Sequence, residues 1–92
     1  MSADPVVERE FKVRAELGLH ARPAGQFVSL ASQFSSEITV GRGDEWVSGC
    51  SILSILSLAA EHGSTLKIRA SGADAERAVS ELGSLLEATG SE

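Results

Sequence analysis

The sequence predicts an α+β fold in two layers, a four-stranded sheet with one face covered by three helices, in the order β-α-β-β-α-β-α. Three observations lead there. Residues 11–15, 37–40 and 65–70 alternate apolar and polar side chains, the period of two that marks a half-buried strand, and 45–47 read as a short return strand after a turn. Three other segments repeat apolar residues every three or four positions and so carry one apolar helical face. Strands and helices that are apolar on one side fold stably by covering each other, which leaves the second sheet face in water.

Composition bounds the rest. A chain of 92 residues is one domain, here 1–92 with its core at about 7–87. Apolar residues make up 42%, too many for a disordered chain, and aromatics only 4%, so Val, Ile, Leu and Ala must fill the core. A net charge of −5 weighs against nucleic acid and anionic membrane as general partners. No run approaches the roughly 18 apolar residues of a membrane span. Met1-Ser2-Ala3-Asp4-Pro5 lacks a basic region followed by an apolar run, so no signal peptide is expected and the cytoplasm is the default. Cys50 stands alone, which rules out an internal disulfide and fits a reducing compartment.

In chain order, residues 1 to about 7 read as a loose lead-in, and Phe11-Lys12-Val13-Arg14-Ala15 as the first strand. Glu16-Leu17-Gly18 breaks it, with Gly18 able to adopt backbone angles other residues resist. The first helix is expected over about 21–33, its apolar face formed by Ala24, Phe27, Val28, Ala31 and Phe34. Pro23 belongs in a first turn, where its missing N–H costs nothing, so the helix begins just after His20. Ser35-Ser36 punctuates. Glu37-Ile38-Thr39-Val40, the turn Gly41-Arg42-Gly43-Asp44 and Glu45-Trp46-Val47 form a hairpin, which Ser48-Gly49 ends. The second helix is expected from Ser51, at or near its N-cap, to about Ala60, with His62-Gly63 closing it and Cys50 a small apolar residue before the cap. The fourth strand covers 65–70. Ser71-Gly72-Ala73-Asp74 turns, with Asp74 the expected cap of a last helix carrying Ala75, Ala78, Val79, Leu82, Leu85 and Leu86. Residues 88–92 are expected to fray.

The middle helix is too apolar for one packing face. On a wheel of 100° per residue, Ile52, Leu53, Ile55, Leu56, Leu58, Ala59 and Ala60 cover about 220°, against the roughly 100° stripe of a surface helix. Ile55, Leu58 and Ala59 point to the core, while Ile52, Leu53 and Leu56 spill away from it. Either a loop or the tail covers the surplus, or it docks other proteins. Burial of a leucine-sized side chain is worth roughly 1.5–3 kcal/mol, enough for three such residues to anchor a transient complex after the cost of association.

Chemistry concentrates at Gly18-Leu19-His20-Ala21-Arg22-Pro23-Ala24. A helix start exposes backbone N–H groups without partners in the helix, and these attract anions. Histidine near its unperturbed pKa of about 6.5 is a neutral nucleophile at physiological pH, and Arg22 supplies a fixed, two-pronged phosphate donor. Together they suit a histidine that accepts a phosphoryl group, with Gly18, Ala21 and Pro23 shaping the helix mouth. His62 reads as the end of a helix, and neither it nor Cys50 is spaced as a metal partner. There is no glycine-rich nucleotide loop, so the chain is not expected to bind ATP itself, and no metal or cofactor is expected.

This motif resembles the active-site motif of the HPr family, the histidine-containing phosphocarriers of the bacterial phosphotransferase system. The similarity continues through Gln26-Phe27-Val28, Ser36-Glu37-Ile38-Thr39-Val40, Cys50-Ser51-Ile52-Leu53 and 63–68, and spans about residues 7–87. The resemblance implies an open-faced β-sandwich with a four-stranded antiparallel sheet. It implies a monomeric carrier, not an enzyme, whose His20 takes a phosphoryl group on Nδ1 from enzyme I, itself charged by phosphoenolpyruvate. The group then passes to enzyme IIA domains, with Arg22 assisting. Ile52, Leu53 and Leu56, with Ala21 on the rim, fall where such proteins meet their partners. Ser51 matches the serine that HPr kinase/phosphorylase modifies in many relatives. The chain departs from the family at Cys50, where lysine is frequent, at Ala59, where glycine is common, and in carrying Ser54 and Ser57. A regulated Ser51 and a plain N-cap both stay open. A regulatory module acting by contact alone is the alternative to a carrier, and the intact His20 and Arg22 favour carriage.

Overall fold

The computed structural model describes residues 4–88. It comprises β1 (Val6–Lys12), α1 (Ala21–Ala31), β2 (Glu37–Arg42), β3 (Glu45–Ser48), α2 (Ile52–Ser57), β4 (Thr65–Ser71) and α3 (Ala75–Glu87). The four strands form the expected single antiparallel sheet, and their order in it is β1-β4-β2-β3.

β1 starts earlier than its alternation suggests. Arg9 occupies the position between half-buried Val7 and Phe11 and pairs with Glu76 of α3, so a charge interrupts the apolar face. Backbone pairing sets the length instead, with Val6 opposite Ser71 and Lys12 opposite Thr65. Val13 and Ala15 are buried beyond the strand. The Val13 amide donates to the Ser64 carbonyl at 2.9 Å, and the Gly63 amide to the Val13 carbonyl at 2.8 Å. The lead-in therefore ends at Pro5, and its first three residues lie outside those described, as does the tail beyond Ala88.

The β2–β3 hairpin closes through Gly43-Asp44, Gly43 having φ +62°, where a side chain would be strained. On the face turned from the helices, Trp46 lies on Gly41, where a Cβ would come within 2.8 Å of the indole. The Arg69 guanidinium stacks 4.3 Å from the same ring and its Nε donates to Glu8 at 2.9 Å, which ties three strands on the open face.

The other face carries Ile38, Val40, Leu66, Ile68 and Ala70 into a core completed by Ala24, Phe27 and Ala31 of α1, Ile55 of α2, and Ala75, Ala78, Val79, Leu82 and Leu86 of α3. α3 lies on β1 and β4, and Gly83 makes this close approach possible: a Cβ there would lie 2.1 Å from the Phe11 ring. Val28 and Leu85 reach only half-burial at its margin. Phe34, past the end of α1, remains in the core with Arg77 over its ring at 5.3 Å.

Two expectations change at helix ends. Asp74 stands at the N-cap of α3, but its carboxylate makes no capping bond. It turns to the α1–β2 loop, accepting from the Ser35 amide at 2.9 Å, the Ser36 amide at 3.0 Å and the Ser36 hydroxyl at 2.5 Å. These bonds, the Ser36 hydroxyl foremost, lower its pKa from 3.8 to about 2.

α2 stops at Ser57, well short of Ala60, because Ala59 takes a left-handed conformation, φ +51°. Arg42 Nη1 secures the end, donating to the Leu58 and Ala59 carbonyls at 2.8 Å each. This reversal carries Ala59 out to solvent and seats Ala60 in the core beside Ile55 and Leu58. His62 is an exposed turn residue beyond the helix, not its end, and Cys50 is exposed as well.

Candidate functional site

Two buried residues hold the segment that carries His20. Leu19 is 5% exposed and Ala24 is fully buried, so the chain is anchored on both sides while Ala21 and Arg22 between them are exposed. Leu19 is fixed further by its amide, which donates to the Ala60 carbonyl at 2.8 Å. Gly18 makes that approach possible. Its φ is +77°, and a Cβ there would sit 2.6 Å from the Ala60 oxygen and 3.0 Å from the Glu61 Cα. No other residue fits this position without moving the α2–β4 connection.

His20 is the N-cap of α1, with extended backbone at φ −92° and ψ −168°, and its carbonyl accepts the first helical bond from the Ala24 amide at 2.9 Å. Its side chain makes no capping bond and is half-buried. Helix geometry leaves the Ala21 and Arg22 amides without intrahelical acceptors, and Pro23 has no N–H to satisfy. No acidic residue lies in the first turn of α1, so its positive end is not offset locally. Among the described residues no carboxylate pairs with Arg22. A half-buried imidazole, two amides and the side chain of exposed Arg22 thus come from one helix start, an arrangement suited to a nucleophilic nitrogen and a transferring dianion.

The second group of predicted site residues begins α2. Ser51 is its N-cap, the hydroxyl accepting the Ser54 amide at 3.2 Å. Ile52 and Leu53 are 43% and 80% exposed, and Leu56 is half-buried against the core, so the surplus apolar arc narrows to Ile52 and Leu53. α2 packs on α1. Leu17, 77% exposed three residues before His20, adds an apolar side chain near the mouth that the sequence reading treated only as part of a break. Its signal was a leucine inside a turn. Among the described residues no three His, Cys, Asp or Glu side chains are grouped as a metal ion requires, and no helix is long and apolar enough to cross a membrane.

A family model described as "PTS HPr component phosphorylation site" matches residues 7–88. The chain is 43% identical over 82 residues to the phosphocarrier protein HPr of Borreliella burgdorferi, covering 89% of this chain and 95% of that one. It is 40% identical over 88 residues to the multiphosphoryl transfer protein of Escherichia coli O157:H7, covering 92% of this chain but 23% of that protein's length. The crystal structure of an HPr from Bacillus anthracis superposes with a TM-score of 0.87 at 34% identity, covering 91% of this chain and all of that one.

Proposed function

The chain belongs to the HPr family of phosphotransferase-system phosphocarriers, and from that membership we propose that His20 is its phosphoryl acceptor, charged by enzyme I and discharged to enzyme IIA domains. The observation that carries this reading is the position of His20 at the start of α1, held between buried Leu19 and Ala24 with Arg22 exposed two residues on.

With the proton on Nε2, the Nδ1 lone pair attacks phosphorus as the bond to the donor's leaving group breaks. The charge that spreads over the phosphoryl oxygens meets the Ala21 and Arg22 amides and the Arg22 guanidinium. Because the mouth faces solvent, the phosphoryl group stays accessible to the next acceptor. Ile52 and Leu53, with Ala21 at the rim and Leu56 beneath, offer the partners an apolar contact of modest area, suited to brief exchange. Ser51 acts as the cap of α2. A kinase that phosphorylated it would place a dianion beside Ile52 and Leu53 and oppose docking there.

Incubation with enzyme I and labelled phosphoenolpyruvate tests the assignment. The expected label is acid-labile, base-stable and absent from His20→Ala. Arg22→Ala is expected to keep the wild-type melting temperature and to transfer at least about tenfold more slowly. Label that survives His20→Ala refutes the acceptor, and an unchanged rate for Arg22→Ala refutes its role.

A further inference from the structure

We propose that Arg42, at the end of β2, is a positioning residue for the phosphoryl transfer assigned above to His20, and the inference rests on that assignment. Arg42 is remote from the motif in sequence and belongs to a hairpin end, where a polar residue ordinarily faces water. Here it is half-buried and spends its Nη1 on two carbonyls, Leu58 and Ala59, at 2.8 Å each.

Those carbonyls end α2 at a point of backbone tension. Ala59 has φ +51°, a conformation that a Cβ disfavours and that persists only where surrounding contacts impose it. The two bonds from Arg42 fall on this residue and the one before it. The next residue, Ala60, is buried and supplies the carbonyl that accepts the Leu19 amide at 2.8 Å. Gly18 rests on the same carbonyl, and the His20 amide closes back on the Gly18 carbonyl at 3.0 Å. One continuous series of contacts therefore runs from the Arg42 guanidinium through 58–60 to Leu19 and the backbone of His20. Arg42 touches neither His20 nor the first turn of α1 by any of these bonds. It acts by fixing the segment from which the His20 loop is hung, so that the imidazole meets the donor phosphorus in a constant orientation.

A structural role alone would lower stability. A positioning role also slows transfer when stability is restored, and the two separate in Arg42→Met and in the double variant Arg42→Met/Ala59→Gly. Glycine at 59 relieves the left-handed conformation and recovers melting temperature without recovering either hydrogen bond. Four quantities are measured: the melting temperature, kcat and KM for phosphorylation by enzyme I, and amide hydrogen exchange at Leu19. In both variants kcat is expected to fall about tenfold, with KM changed by less than about twofold because Ile52 and Leu53 are untouched. Leu19 exchange is expected to rise about tenfold while the core amide of Ile68 holds its rate at matched stability. Recovery of kcat together with melting temperature in the double variant overturns the proposal, as does wild-type Leu19 exchange in both variants. If the wild-type protein takes no label on His20, the carrier reading itself has failed. If it does and Arg42→Met transfers at the wild-type rate, the role of Arg42 alone has failed.

Discussion

Asp74 shows how one side chain can couple two loops. Its carboxylate accepts three hydrogen bonds from Ser35 and Ser36, and these bonds favour the charged form, lowering its pKa to about 2 from 3.8. A group whose folded pKa is depressed contributes stability above its unfolded pKa and loses it as pH falls through the folded value. The contribution of Asp74 is therefore complete above about pH 4 and disappears toward pH 2. Urea midpoints of the wild type and Asp74→Asn, followed from pH 6 to pH 2, are expected to lie apart at the upper end and converge at the lower. A constant gap across the range would mean that the carboxylate charge does not matter. The same residue marks a limit of the sequence as a guide. The turn before α3 made Asp74 a natural cap, but the partners it took are 38 and 39 residues away, and no local pattern announces them. The placement of His20 and Arg22 at the start of α1 is legible for the opposite reason. Their arrangement depends on the start of one helix, and Pro23 and Gly18 locate that start in the chain itself.

At the scale of elements, strand and helix types followed from periodicity, while their ends followed from contacts made elsewhere. Alternation places β1 at 11–15, later than Val6–Lys12, because Arg9 sits on its inner face, paired with Glu76 where an apolar residue would have extended the pattern. The sequence carries α2 past its observed end because the apolar run continues through Ala59 and Ala60, and alanine is the residue least expected to break a helix. The break comes instead from the left-handed turn at Ala59, held by Arg42 from β2, 16 and 17 residues back. A Cβ in that conformation costs about 1–2 kcal/mol, partly offset by the greater freedom glycine would have when unfolded. Ala59→Gly is thus expected to stabilise the fold by about 1 kcal/mol, seen as a rise of about 4–8 °C in melting temperature for a domain this small. A fall in melting temperature would show that Ala59 makes contacts worth more than the strain it bears.

For the whole molecule, the same sheet that organises the core also divides the surface. Its inner face is filled by three helices, and its outer face is tied across strands by Trp46, Arg69 and Glu8. What remains apolar and uncovered at α2 is Ile52 and Leu53, while Leu56 is drawn half into the core. The surplus arc was visible in the sequence, but its width was overstated, since a wheel assumes that the helix continues to Ala60. A side chain that is 80% exposed contributes little to folding, so Leu53 has no structural reason to be leucine. Leu53→Glu is expected to change stability by no more than an ordinary surface substitution, about 0.5 kcal/mol, and to weaken binding to enzyme I at least about tenfold, measured by titration calorimetry. Introducing a carboxylate removes apolar contact and opposes any anionic group brought to the same face, as a phosphate on neighbouring Ser51 would. Binding that is indifferent to the change would assign the uncovered leucine to some other partner, and a large loss of stability would mean that Leu53 supports the fold after all.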